Sequence, residues 1–173
     1  MTSMRLPPPP PNFRSVAYDE IQSVEWRRDG PLPFAAPRRR GRGAKAVGLR
    51  YDAHAAEHFA RTSEGFAAHP WLRFITRNEG VRWAQPDGLL FDLRAGRITI
   101  LEFKIRHTTD AWWQLRRLYE PLIRRLFADG AWHFACCEVC KYYDPAVRLP
   151  EAQTRCDNPA RLYANAFGVH ILS

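Results

Sequence analysis

The chain contains 173 residues, of which 46% are hydrophobic and 25% are charged. This composition is typical of one globular domain and excludes a chain that is disordered throughout. No hydrophobic run approaches the ~18 residues that a membrane span requires, and the N-terminus lacks the apolar core of a secretory signal peptide. We therefore predict a cytoplasmic protein that does not bind membranes. Its net charge of +8 favours a negatively charged binding partner.

Residues 1–45 differ in composition from the rest and predict a flexible N-terminal arm that is Pro-rich and basic. Residues 1–50 hold ten Lys or Arg and four Asp or Glu, which is +6 of the total +8. The five consecutive prolines Pro7–Pro11 favour polyproline II over helix or sheet, and a short strand around Val16–Trp26 is compatible with the sequence. The basic residues expected to contact a phosphate backbone are Arg38, Arg39, Arg40, Arg42 and Lys45. A solvated tail is the alternative interpretation.

Residues 46–173 predict one α/β domain, a sandwich in which helices flank a central mixed sheet. Hydrophobic periodicity predicts a helix over Val47–Phe66 and another over Asp110–Phe127, which Pro121 kinks or divides. Trp71–Arg77 and Val81–Ala84 are predicted as one interrupted strand. The other predicted strands are Leu89–Leu93, Ile98–Ile105, Trp132–Val139 and Gly168–Leu172. A short helix over Pro159–Ala166 is predicted before the last strand.

The middle of the domain predicts a hairpin that places three charged side chains together. A two-residue loop at Ala95 and Gly96 pairs Asp87 with Lys104 across the two strands. Because side chains alternate between faces, Asp87, Glu102 and Lys104 then share one face, at the point where its apolar layer ends. The apolar members of that face are Leu89, Phe91, Leu93, Ile98 and Ile100. A register shifted by one residue would move Asp87 to the opposite face.

This arrangement predicts a divalent-metal site. Asp87 and Glu102 become diagonal neighbours, about 7–8 Å apart at the backbone, and two carboxylates beside an apolar layer repel each other unless a cation compensates. Mg²⁺ is a hard cation that carboxylates bind, and Mn²⁺ is expected to substitute for it. Lys104 could orient or deprotonate water there, since a lysine pKa shifts readily whereas arginine stays protonated. The alternative is an ordinary surface ion pair between Glu102 and Lys104.

The sequence Pro86-Asp87, followed across a hairpin by Glu102-Phe103-Lys104, resembles the PD-(D/E)XK nuclease superfamily. The resemblance implies an αβββαβ sandwich and metal-dependent hydrolysis of phosphodiester bonds, usually in DNA. It also implies that Asp87 and Glu102 bind the metal and that Lys104 is the catalytic lysine.

The same resemblance points to polar residues on the two helices. Many members carry an acidic residue on the first helix, a role that Asp52 or Glu57 could fill. These two lie about 140° apart on a helix, so that one of them faces the site, and we favour Asp52 as a further metal ligand. Several branches carry a glutamine on the second helix, for which Gln114 is the candidate.

Further residues near this region are candidates for contacts with nucleic acid. The residues expected to contact backbone phosphates are Arg106, His107, Arg116 and Arg117. Trp112 and Trp113 are adjacent, so that both cannot face the core of a helical domain, and Trp113 is the candidate for stacking on a base. One core Trp and one half-exposed Trp is the alternative interpretation.

The four cysteines carry a weaker signal. Cys137 and Cys140 have the spacing of zinc ligands, with His133 nearby, but they lie in a predicted strand and no second pair follows. We therefore expect buried free thiols, which behave as small hydrophobic groups.

The functional hypothesis is a single-domain, metal-dependent deoxyribonuclease with DNA as its partner. The resemblance suggests a role in a bacteriophage or in bacterial DNA repair, and it leaves a homodimer open. Two alternatives remain at this point, a non-catalytic nucleic-acid-binding module with the same fold, and an interaction protein whose Pro-rich arm binds another protein.

Overall fold

The computed structural model of the protein describes residues 6–27, 43–150 and 153–173. The helices are α1 (Ala44–Thr62), α2 (Thr109–Gln114) and α3 (Glu120–Leu126), with a π-helical turn over Leu115–Tyr119. The strands are β1 (Ile21–Arg27), β2 (Phe66–Ala68), β3 (Trp71–Thr76), β4 (Gly80–Ala84), β5 (Gly88–Asp92), β6 (Arg97–Arg106), β7 (His133–Tyr142), β8 (Gln153–Arg155) and β9 (Phe167–Ile171). None of the helices in these ranges is long and apolar enough to cross a membrane.

A six-stranded mixed sheet forms the centre of the domain, in the order β2-β5-β6-β7-β9-β8. Strands β2, β5 and β6 pair antiparallel, and the pairs from β6 to β8 are parallel. One face packs under α2, the π-helical turn and α3, and the other packs under α1. The mixed α/β class is therefore confirmed.

The side of α1 that faces the sheet carries buried residues at every fourth position. The side chains of Tyr51, Ala55 and Phe59 are buried against the sheet, at a spacing of four residues, whereas Leu49 is 45% exposed. A hydroxyl group fixes this orientation, because the Tyr51 Oη donates a hydrogen bond of 3.0 Å to the carbonyl oxygen of Leu172.

A second, three-stranded antiparallel sheet, in the order β1-β3-β4, corrects one prediction. The stretches 71–77 and 81–84 are two strands of a hairpin and not one interrupted strand, and neither belongs to the central sheet. The chain reverses at Gly80, which adopts a φ of +71°, and the hydroxyl of Thr76 accepts a hydrogen bond from the amide of Glu79. The first strand of the central sheet is the short β2, which was not predicted, and its first residue, Phe66, lies where the predicted first helix ended.

The N-terminal segment is more ordered than the predicted arm. Val16 and Ile21 are 3% and 4% exposed and belong to the hydrophobic core, and β1 pairs with β3 along its length. The folded domain therefore includes residues well before Ala46. The predicted contacts of Arg38, Arg39, Arg40 and Arg42 lie outside the described residues.

Pro121 shapes the second helical region. Proline has no amide hydrogen, so the carbonyl group four residues earlier, that of Arg117, lacks its helical donor. The amide of Val16 donates to that carbonyl at 2.8 Å. The chain passes through the π-helical turn just before Pro121, and α3 begins at Glu120, in agreement with the expectation that Pro121 divides the helix.

The C-terminal part differs from the predictions in two details. The expected helix over 159–166 is a single 3₁₀ turn, Pro159–Arg161, and β8 was not predicted. The final strand lies where the pattern placed it, within one residue at each end.

Substituting alanine for Gly65 is expected to destabilise the fold. A methyl group at Gly65 would overlap the carbonyl oxygen of Phe91, where β2 approaches β5. Because backbone must move to relieve this overlap, we expect Gly65→Ala to lower the free energy of unfolding by roughly 1–3 kcal/mol in urea denaturation.

The matched control is Gly48→Ala in α1, where a methyl group meets nothing within 4 Å. It should raise the free energy of unfolding by about 0.5–1 kcal/mol, because alanine favours helix. Equal effects of the two substitutions would contradict the close approach of β2 to β5.

Candidate active site

The hairpin of β5 and β6 has a register two residues away from the predicted one. Phe91 pairs with Ile98 and Asp92 with Arg97, so that the loop spans four residues and not two. The Asp92 carboxylate accepts a hydrogen bond of 3.0 Å from the amide of Ala95 and stabilises this longer loop. Leu93 therefore leaves the strand and is 78% exposed, contrary to its predicted place in the apolar layer.

Because side chains alternate with a period of two, a shift of two residues leaves each side chain on the same face of the sheet. Asp87, Glu102 and Lys104 therefore still share one face. Continuing the observed register by one residue places Asp87 opposite Glu102. The Asp87 Oδ2 accepts a hydrogen bond of 2.6 Å from the amide of Phe103, and the Lys104 Nζ lies 2.8 Å from the Glu102 Oε1. The structure thus brings Asp87, Glu102 and Lys104 together at one end of the sheet.

The first helix contributes Asp52 to this cluster. The Asp52 Oδ2 lies 3.6 Å from the Nε2 of His69, whose Nδ1 lies 4.0 Å from the Asp87 Oδ1. Glu57 is exposed on another side of α1. The geometry therefore favours Asp52 over Glu57.

His69 is a site residue that sequence reasoning missed. Its φ of +45° is unusual for a residue other than glycine, and the following Pro70 restricts it further. Two hydrogen bonds hold this backbone: the His69 amide donates to the carbonyl of Asp87 at 3.0 Å, and the His69 carbonyl accepts from the Gln85 side chain at 2.9 Å. No spacing in the sequence signals these contacts, because they depend on the insertion of β3 and β4 between β2 and β5 along the chain.

Gln114 also lies at the cluster, through the buried Tyr119. Burial and the negative charges of Glu102 and Asp87 raise the pKa of the Tyr119 hydroxyl, and the neighbouring Gln114 side chain opposes this shift in part. Gln114 is the last residue of α2 before the π-helical turn, an irregularity that is frequent at functional sites.

The electrostatics of the cluster oppose two negative charges. Burial, together with the charge of Asp87, raises the pKa of the Glu102 carboxyl from 4.5 to about 8, despite the nearby ammonium of Lys104. Burial also raises the pKa of Asp87, although the Phe103 amide stabilises its carboxylate. Burial disfavours the charged form of Lys104, but Glu102 and Asp87 outweigh that effect, so that its pKa is raised and it stays protonated.

These residues fit a divalent cation. The Glu102 Oε2 is buried, and no N–H or O–H group in the described part of the chain donates a hydrogen bond to it. One ligand atom each of Asp52, His69 and Asp87 lies within 4.8 Å of the other two. Carboxylate oxygens are the donors that Mg²⁺ and Mn²⁺ prefer, and a cation would relieve the repulsion between the acidic groups. Asp52, His69 and Asp87 are the residues that would hold it, with the carboxyl group of Glu102 next to Asp87.

Three of the side chains that were predicted to contact nucleic acid make contacts within the protein instead. His107 is buried, with its Nδ1 2.6 Å from the Glu138 Oε2, and therefore cannot reach a phosphate group. Arg116 forms an ion pair of 2.8 Å with Glu120. The Trp113 Nε1 donates to the carbonyl of Pro7 at 3.1 Å, so that the Pro-rich segment covers this ring.

Three other predicted contacts are exposed. Lys45 lies in the first turn of α1. The Arg106 guanidinium lies 5.8 Å from the centre of the Tyr142 ring, and that of Arg117 lies 5.6 Å from the Trp112 ring. These side chains stay available for phosphate groups.

The cysteines do not form a zinc site. Cys137 and Cys140 lie on β7 three residues apart, and their side chains therefore point to opposite faces of the sheet. The Cys137 Sγ lies 3.8 Å from the Cys156 Sγ, and the other two thiols are buried in the opposite core. Within the described ranges, Asp52, His69 and Asp87 form the single group that could hold a metal ion.

The raised pKa of Glu102 predicts a pH-dependent stability of the metal-free protein. The folded protein keeps a proton on Glu102 up to about pH 8, whereas the unfolded chain releases it near 4.5. The free energy of unfolding should therefore fall as the pH rises from 5 to 8, by an amount on the order of a few kcal/mol. Urea denaturation in EDTA at several pH values measures this slope.

The comparison is with Glu102→Gln, which should show a shallower slope, while Glu57→Gln should match the wild type. Identical slopes for the wild type and Glu102→Gln would contradict the electrostatic description of the site.

Comparisons with protein-family models, with curated proteins and with solved structures found no match to this chain.

Proposed function

We propose that this protein is a divalent-metal-dependent nuclease that hydrolyses phosphodiester bonds in DNA. The observation that carries the proposal is the convergence of three carboxylates, Asp52, Asp87 and Glu102, with Lys104 at one end of the central sheet. The pairing of β5 with β6 brings Asp87 beside Glu102, whereas Asp52 comes from α1, so that sheet pairing alone does not bring the three carboxylates together.

The order of elements supports the resemblance to PD-(D/E)XK nucleases. Along the chain, α1 precedes β2, β5 and β6, then come α2 and α3, and β7 pairs parallel to β6. The hairpin of β3 and β4 is inserted between β2 and β5. Without that insertion, the sequence of elements is the αβββαβ order that the resemblance implies.

The chain's own groups have distinct tasks in this proposal. A divalent cation held by the carboxylates would supply Lewis-acid chemistry, by polarising the phosphodiester and making water more acidic. Lys104, protonated and fixed 2.8 Å from Glu102, donates hydrogen bonds to the phosphoryl oxygens as negative charge develops there. His69 lies between Asp52 and Asp87, with its two ring nitrogens 3.6 Å and 4.0 Å from their carboxylate oxygens, and helps to position both carboxylates.

DNA is the proposed substrate because of charge as well as resemblance. The formal net charge is +8, and arginines and lysines exceed acidic residues most strongly in residues 1–50. Each phosphate that a basic side chain neutralises releases counterions, so that binding should weaken as salt increases.

The test is cleavage of linear, plasmid, single-stranded and branched DNA in the presence of Mg²⁺, Mn²⁺ or EDTA. We expect cleavage with either metal and none in EDTA. Asp87→Asn and Lys104→Ala should each lower the cleavage rate by roughly 100-fold or more, since each removes charge at the reacting phosphate.

The matched controls are Glu57→Gln, an exposed acidic residue of the same helix as Asp52, and Arg94→Ala, an exposed cation in the β5–β6 loop. Both should cleave like the wild type, and circular dichroism checks the fold of every variant. Cleavage that survives both Asp87→Asn and Lys104→Ala would refute the site. Metal-independent DNA binding without any cleavage would favour a binding module.

A further inference from the structure

A groove of about 380 Å³ opens beside the candidate active site, between the start of α1 and the ends of β6 and β7. Arg50 and His54 line it from the helix, and Ile105, Lys141 and Tyr142 line it from the sheet. The side chains that line this groove include the two cations of Arg50 and Lys141 and none that is acidic.

The position of the groove connects it with the site. Ile105 directly follows Lys104 on β6, so that the two side chains lie on opposite faces of the sheet at the same end of the strand. Because β6 and β7 are parallel, their carboxyl ends lie at the same edge of the sheet. On α1, Asp52 and Arg50 flank the buried Tyr51 on its two sides. One edge of the domain therefore carries carboxylates on one side of α1 and cations on the other.

The side chains in the groove suit unpaired nucleotides. Tyr142 is 52% exposed, with Lys141 Nζ 5.5 Å and the Arg106 guanidinium 5.8 Å from the centre of its ring. An exposed aromatic ring among cations is the combination that binds single strands, because bases stack on the ring and phosphates contact the cations. In a duplex the base faces are already stacked on one another, and they cannot reach such a ring without unstacking.

We propose that this groove binds a single-stranded stretch of DNA next to the phosphate that is cleaved. A base stacks on Tyr142, while Arg50 and Lys141 contact neighbouring phosphates. The inference rests on the proposed nuclease function, and it narrows the substrate to DNA with a single-stranded end, flap or gap.

The experiment measures binding without cleavage. Fluorescence anisotropy of a fluorescein-labelled oligothymidine and of a blunt duplex of equal length is recorded with the full chain in EDTA. Tyr142→Ala should weaken binding of the single strand by roughly fivefold or more, and Tyr142→Trp should restore it. Arg50→Ala with Lys141→Ala should reduce the slope of log affinity against log salt by about 1.4, the amount for two phosphates of a single strand.

The control is Arg77→Ala with Arg94→Ala, which removes the same charge from two exposed loop positions away from the groove. This control should reduce the steepness of the salt dependence by less than Arg50→Ala with Lys141→Ala does. If the Tyr142 and groove variants bind the single strand like the wild type, the groove proposal fails while metal-dependent cleavage can still stand. An equal loss of duplex binding in Tyr142→Ala would overturn the single-strand assignment.

Discussion

The pairing of β5 with β6 is the constraint on which the proposed chemistry depends. It holds Asp87 against the backbone of Phe103, beside the buried carboxyl of Glu102, and places two acidic groups where burial disfavours their charge. Lys104 compensates only in part, as the raised pKa of Glu102 shows. Strongly perturbed carboxyl groups occur in functional sites and also in structural ion-pair networks, and the proposed function assigns this cluster to the first kind.

The surrounding elements maintain the cluster from several directions. His107 and Glu138 form a buried pair behind it, and the other Glu138 oxygen accepts a hydrogen bond from the amide of Thr108, which caps α2. The amide of Val16 satisfies the carbonyl of Arg117 that Pro121 leaves without a donor. These bonds fix the helix that carries Gln114, so residues far from the cluster in sequence determine its geometry.

The central part of the site could be predicted from the sequence because strand alternation has a period of two. The register was wrong by two residues, since the Asp92 carboxylate stabilises a longer loop, yet Asp87, Glu102 and Lys104 kept a common face. His69 could not be predicted, because its place depends on the insertion of the β3–β4 hairpin. His107 was misplaced because an exposed and a buried histidine look alike in one sequence, and only the fold supplies Glu138 as its partner.

The most direct test of the central claim is a titration of the metal-free protein with Mn²⁺, with free Mn²⁺ followed by electron paramagnetic resonance in the absence of nucleic acid. The account predicts saturable binding to the wild type that is lost in Asp87→Asn and kept in Glu57→Gln. No saturable binding, or binding unchanged in Asp87→Asn, would contradict the claim that these carboxylates form a cation site.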